Sequence, residues 1–350
     1  MAALAVLRHA DVVPLMGQFQ GGSYQDMHEL LAYVRESGRV LSYLTQKVTM
    51  SYYNFQLATA IGHFHHLFTP WLSVHGYSRL PRLLSSSSDM AAFVVVSSIY
   101  FGDVGLVEWA CQHRCHFPTS YPLVDIAAWA AQLDILRLLG NHPGTTNAMD
   151  VASRDGHLVI VTYLNQHRQE GCTKAAINLA ARFNHIDVVA YLQSHRSEGC
   201  SSDSLVWAAT HGHLTMVQFL LRHYYDTVSS SLAMDAASQH GHLDVVKFLH
   251  AHGQTCTTDA VDYACLNGHL GIVKFLLHHR HEGATTRAMS YAAASGHLDL
   301  VTFLRQRNVP ANVKMAVTNA RKNGHFHVAT YLCQSAPHVE FELGTLALNV

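Results

Sequence analysis

Charge is scarce in this chain. Asp, Glu, Lys and Arg make up 13% of its 350 residues, against about 25% in typical soluble domains. Histidine, with 28 copies, supplies much of the polar surface instead, and the formal net charge is −1. A chain so nearly neutral has no global attraction to phosphate, which argues against a nucleic-acid partner. Long apolar runs are also missing. The longest, MAAFVVVSSIYF at 90–101, falls short of the ~18 residues a membrane span needs. At the N-terminus, Arg8, His9 and Asp11 interrupt the apolar stretch too early for a signal-peptide core. The seven cysteines (Cys111, Cys115, Cys172, Cys200, Cys256, Cys265 and Cys333) are odd in number and scattered, as expected of free thiols in a reducing compartment. The expected location is the cytosol, with the nucleus as the alternative, and no membrane as partner.

Catalytic signatures are lacking too. The sequence holds no glycine-rich phosphate loop, no metalloprotease motif and no Ser-His-Asp constellation, so neither an enzyme nor a cofactor is expected. The string CQHRCH (111–116) invites a zinc reading. It has no second Cys/His pair at finger-like spacing, and its His113-Arg114 matches His167-Arg168, His195-Arg196 and His279-Arg280 elsewhere in the chain.

What the chain has in abundance is one string, repeated. HGHLDVVKFL (240–249) returns as DGHLVIVTYL (155–164), HGHLTMVQFL (211–220), NGHLGIVKFL (267–276) and SGHLDLVTFL (295–304). Weaker copies surround residues 102, 131, 184 and 324. The nine glycine-equivalent positions (102, 131, 156, 184, 212, 241, 268, 296 and 324) are 25–29 residues apart. A period of this length marks a stacked-repeat architecture without a single core.

Within one unit, Met234, Ala237 and Gly241 share a helical face, as do Leu243, Val246 and Leu249 after the glycine. Each unit therefore reads as two short helices around a turn. Glycine fits the left-handed position that ends a helix, and Asn184 is the next best residue for it. Ala131 predicts either strain or a different turn, one with Ala131 itself helical. If the turn holds, Ala131→Gly stabilises the protein and Gly268→Ala destabilises it. An alanine recurs four residues before the turn, from Ala127 to Ala320, where a small side chain lets helices approach closely. The turn histidines, His157 through His325, predict local hydrogen bonds at each turn. They are too far apart, at a helix-packing step of about 10 Å, to share a metal.

The segment AASQHGHLDVVKFL (236–249) resembles the ankyrin repeat, and the resemblance covers about residues 89–335. It implies an all-α, ankyrin-type helix-turn-helix solenoid of about nine to ten short repeats. The unit of ~28 residues is shorter than the standard 33, and the usual Thr-Pro-Leu-His start is absent, which puts binding through long hairpin fingers in doubt. The remaining parts are expected to be an N-terminal helical cap (1–50), a degenerate repeat and Ser-rich loop (51–88), and a C-terminal tail (336–350). In the degenerate unit Gly62 would be the turn and Pro70 would break the second helix. In the first 50 residues a helix is expected to end at Gly38.

The resemblance further implies a non-catalytic scaffold that presents a concave face to another protein. Its contacts would be the two residues before each turn: Tyr100 and Phe101, Trp129, Arg182 and Phe183, Thr210 and His211, Gln239 and His240, Leu266 and Asn267, and Lys322 and Asn323. Aromatic residues and arginine are the usual hot-spot types, which points to the stretch from Tyr100 through Trp129 to Phe183 as the anchor. The alternative is a substrate adaptor, in which residues 1–50 form an F-box-like recruiting segment.

Overall fold

The structure is a computed structural model that describes residues 19–20, 23–41, 54–113 and 121–335. Cys115, His116 and the tail from 336 lie outside the described residues. The chain divides into two compact units, residues 1–176 and 177–350. Apart from one antiparallel pairing of Phe19–Gln20 with Ser23–Tyr24, the regular structure is helical.

The first unit opens with α1 (His28–Leu41) and α2 (Asn54–His75), which pack on each other and on α4 (Ser88–Phe101). A short helix, α3 (Leu80–Leu84), precedes α4. Two expectations fail here. The unit expected around Gly62 is one helix, and Pro70 lies inside it. Proline costs about 3 kcal/mol in a helix interior. Against that, Leu57, Ile61, Phe64, Phe68 and Trp71 are buried at steps of 4, 3, 4 and 3 residues, and each such side chain contributes about 1.5–3 kcal/mol. Gly38 likewise sits inside α1 instead of ending it. A Cβ there would come within 2.8 Å of the Asp89 carboxylate, so this glycine serves close packing against the start of α4. The Ser-rich loop narrows to 85–87, with Ser87 capping α4 through Met90 N. The apolar run at 90–101 is α4 itself. Residues 92–99 are all buried, as expected of a helix covered on every side.

The described residues then contain nine helix pairs. Those of the first unit are α4 with α5 (Val104–Gln112), α6 (Leu123–Trp129) with α7 (Leu133–Leu139), and α8 (Asn147–Arg154) with α9 (Leu158–His167). Helix α10 (Lys174–Arg182) spans the division and pairs with α11 (Ile186–His195). The second unit continues with α12 (Ser202–Thr210) and α13 (Leu214–Val228), α14 (Ser231–Gln239) and α15 (Leu243–Ala251), and α16 (Asp259–Leu266) and α17 (Leu270–His279). It closes with α18 (Arg287–Ala294) and α19 (Leu298–Gln306), then α20 (Val313–Lys322) and α21 (Phe326–Ser335). Within this unit the first helix of each pair packs on the first helix of the next, α12 on α14 through to α18 on α20. The expected all-α architecture of stacked pairs is what the chain adopts.

All nine turns are left-handed at the expected residue, Ala131 (φ 56°) and Asn184 (φ 63°) included. The backbone N–H of the residue after the turn closes each turn on the carbonyl five residues back, as His242 does on Ala237 at 3.0 Å, which satisfies an orphaned helix-end group. The different turn considered for Ala131 does not occur. The short step after it comes from α7, which has 7 residues where α9 and α11 have 10. The eight recurrent alanines are fully buried. On second helices the buried set is Val245, Val246 and Leu249 and their equivalents, with Leu243 and Phe248 half-buried.

Three side-chain ladders join successive pairs. In the first, a buried aspartate accepts both the N–H and the hydroxyl of a threonine one pair later. Asp125 takes Thr145, Asp150 takes Thr173, Asp235 takes Thr257 and Asp262 takes Thr285. The threonine oxygen then accepts the N–H two residues on, as from Asn147 at 3.1 Å. Asn178 and Ser201 make the same contact with an amide in place of the carboxylate. In the second ladder, Arg168, Arg196 and Arg280 end their helices in extended backbone and pair with Glu170, Glu198 and Glu282. Arg168 also donates to the Gly140 and His142 carbonyls, and Arg280 to Gln254 O at 3.0 Å. Arg168 and Arg280 therefore staple neighbouring loops. The Arg280 hydrogen bond holds the Glu282 carboxyl down to about 2.

The third ladder is the histidines, and it corrects an expectation. Because a carbonyl only accepts, each Nε2–H donates, and the acceptor belongs to the preceding pair. His213 reaches Arg182 O at 3.1 Å, His242 reaches Thr210 O at 3.0 Å and His269 reaches Gln239 O at 3.1 Å. The rings also cover the preceding turn. A Cβ on Gly212, Gly241, Gly268 or Gly296 would fall 2.5–2.8 Å from the next histidine's ring.

The first ladder makes stability pH-dependent. Burial pushes the Asp125 carboxyl up to about 6, against the lowering effect of its Thr145 hydrogen bonds. A raised folded-state value means this group's contribution is complete below the unfolded value near 4 and is lost as pH rises through about 6. Asp125→Asn removes that titration while keeping the contact, as Asn178 does. The stability of the variant relative to wild type should therefore increase between about pH 5 and pH 7.5 in paired thermal melts. A pH-independent difference would show that Asp125 does not titrate in this window.

Candidate interaction surface

On a first helix, the positions one, two and five residues before the turn share a face, because residues three and four apart are neighbours on a helix. That face carries the expected contact residues and adds a row to them.

In the first unit, Tyr100, Phe101 and Trp129 come together. Tyr100 lies 4.9 Å from the Trp129 ring and 5.2 Å from Phe101, centroid to centroid. Phe101 is 43% exposed and stacks on His65 at 3.8 Å. The same rows continue at Arg154 and Asp155, which pair with one another through two hydrogen bonds at 2.7 Å.

In the second unit, Phe183 is 48% exposed and groups with Arg182 and Trp207. The Arg182 guanidinium carbon sits 5.5 Å from the Phe183 ring centroid and 5.6 Å from that of Trp207. Of the anchor expected from Tyr100 to Phe183, Tyr100, Phe101 and Trp129 belong to the first unit and Arg182 and Phe183 to the second. His211 donates Nδ1–H to Trp207 O at 2.8 Å, and its ring stacks on His213 at 5.7 Å. Thr210 donates to Val206 O at 2.7 Å. His240 is exposed, and burial and the neighbouring histidines push its pKa down. Gln239 and Leu266 are half-buried, and Lys322 is exposed. Asn267 and Asn323 are exposed but tied, donating to Gln239 O and Ala294 O of the preceding pairs at 2.8 and 2.7 Å.

The row five before the turn was missed from the sequence. It contributes Trp207, Tyr263 and Tyr291, all half-buried, with the two tyrosines stacked at 6.1 Å. The signal was available, since these residues precede the recurrent alanine by one. The face offers rigidly mounted aromatics and amides, and among the described residues it holds no grouping of acid, base and nucleophile. Nor do the described residues bring three or more His, Cys, Asp or Glu side chains into metal-binding range.

The family model described as ankyrin repeats (3 copies) matches residues 148–231, 179–260, 205–288 and 233–315. No curated protein matches the sequence.

Proposed function

This is an ankyrin-repeat protein, matched as such over residues 148–315, and from that premise we propose that it is a non-catalytic scaffold that binds another protein on its pre-turn face. The carrying observation is the presence of Trp207, Tyr263, Tyr291, Phe183 and Arg182 in the rows before the turns of α10, α12, α16 and α18. Trp, Tyr and Arg are the residues that dominate interface energies, and the helices beneath are fixed by fully buried alanines. No described helix is long and apolar enough to cross a membrane. The near-neutral charge disfavours nucleic acid, and the scattered thiols fit the cytosol or nucleus.

The test is affinity purification with mass spectrometry on the full chain. It compares wild type, the variant Tyr263→Ala/Tyr291→Ala, and Lys247→Ala, an exposed position on a second helix. The expected result is a set of partners retained by Lys247→Ala and lost from the tyrosine variant, with circular dichroism unchanged. An identical set for all three would place the binding surface elsewhere and overturn the reading.

A further inference from the structure

We propose that Arg182 is the anchor for a carboxylate side chain on an acidic segment of the protein partner, held in the Arg182–Phe183–Trp207 cluster. The inference rests on the binding face proposed above and names the chemistry of what it binds.

The first observation is an unspent cation. Arg182 Nε is buried without a hydrogen-bond partner, and its guanidinium forms no ion pair among the described residues. Elsewhere the half-buried arginines are satisfied. Arg154, Arg168, Arg196 and Arg280 each have a carboxylate within hydrogen-bonding distance. Leaving a charged donor partly desolvated and unpaired is costly, so the missing acceptor is the feature that needs an explanation.

The second observation is that the group is held in place. Two aromatic faces flank it at 5.5 and 5.6 Å, an arrangement that attracts a cation and restrains a flexible side chain. The backbone below is fixed as well, because Arg182 O receives the His213 Nε2 hydrogen bond. A guanidinium preset in this way loses little freedom on meeting a planar carboxylate, which it matches with two parallel hydrogen bonds.

The third observation is the sign of the face. In the second unit, the three rows one, two and five before the turn contain Arg182, Lys322, His211 and His240 but no aspartate or glutamate. The nearest carboxylates in sequence, Asp187 and Asp203, sit in the first turns of α11 and α12, outside these rows. A neutral or basic segment gains nothing from Arg182, whereas an acidic one brings the counter-charge that its guanidinium lacks among the described residues. The chemistry also favours a carboxylate over a phosphate. Phosphate recognition gathers several arginines, and here the only other permanent cation in these rows, Lys322, is five pairs further along the stack.

The probe is a displayed library of random peptides, selected on the full-length chain. Acidic residues should be enriched at one fixed position among the binders. Changing that residue to its amide should weaken binding about tenfold or more, as should Arg182→Gln. The two changes together should be no worse than either alone, because each removes the same pair. Arg182→Lys should fall between, keeping the charge but not the paired hydrogen bonds. The melting temperature of Arg182→Gln should fall only slightly, since its two ring contacts are the internal interactions lost, and Arg182→Lys, which keeps the cation, separates that small loss from the loss of binding. Binders weakened by Tyr263→Ala/Tyr291→Ala but showing no acidic enrichment, or unaffected by Arg182→Gln, would overturn this inference and leave the binding face standing. Binders insensitive to every variant of the face would overturn both.

Discussion

Gly268→Ala should destabilise the protein by about 2–4 kcal/mol, and Gly324→Ala by only about 1–2 kcal/mol. Both glycines are left-handed, at φ 85° and 82°, so both substitutions carry the cost of placing a Cβ in that conformation. They differ in what the Cβ meets. At Gly268 it falls 2.8 Å from the His297 ring, while at Gly324 nothing lies within 4 Å. Gly241→Ala belongs with Gly268→Ala. Its Cβ would meet His269 at 2.7 Å, and that ring is itself tied to Gln239 O. The alanine therefore displaces a histidine that joins two repeats, an overpacking cost of about 1–3 kcal/mol added to the backbone cost. The reverse change at the one turn that departs from Gly or Asn, Ala131→Gly, should stabilise by about 0.5–1 kcal/mol. It relieves φ 56° at some expense in unfolded-state entropy. Chemical denaturation of the four variants measures all of this. Equal costs at Gly268 and Gly324 would mean that the histidine ring yields freely and plays no part in locking the turn.

These positions also show where sequence reading succeeded and where it stopped. The nine turns were legible because a left-handed residue leaves a single-residue trace, glycine, at a constant period. The histidine beside each turn was equally visible, but the target of its hydrogen bond was not. The acceptor lies about thirty residues away, in the preceding repeat, and a backbone carbonyl has no sequence signature. The Asp–Thr ladder was hidden for a similar reason, although one trace existed. Where the acid becomes Asn178, its partner becomes Ser201, a paired change readable from the repeat register. Pro70 and Gly38 misled because local propensity was weighed without the burial that overrides it. On the candidate face, the family resemblance supplied the two residues before the turn but not Trp207, Tyr263 and Tyr291, which required following the helix one turn further back.

The second large effect concerns the interior of a single repeat. Leu249→Ala should cost about 2–5 kcal/mol. Leu249 is 0% exposed, as are Val245 and Val246 beside it on α15. Removing most of its side chain forfeits the transfer free energy of the lost methyl and methylene groups and leaves a cavity that stiff, helix-borne neighbours cannot fully close. Where that loss is felt depends on the architecture. Helix α15 packs against α14 of its own pair and against α13 and α17 on either side. Stability in stacked repeats is carried by such nearest-neighbour interfaces. Amide hydrogen exchange should therefore accelerate most in α13 through α17 and much less in α20 and α21, three pairs beyond α14–α15. Subglobal opening of this kind is expected where each repeat touches only its neighbours. A uniform acceleration across the second unit would instead show one cooperative block, in which the repeat is a unit of sequence but not of stability.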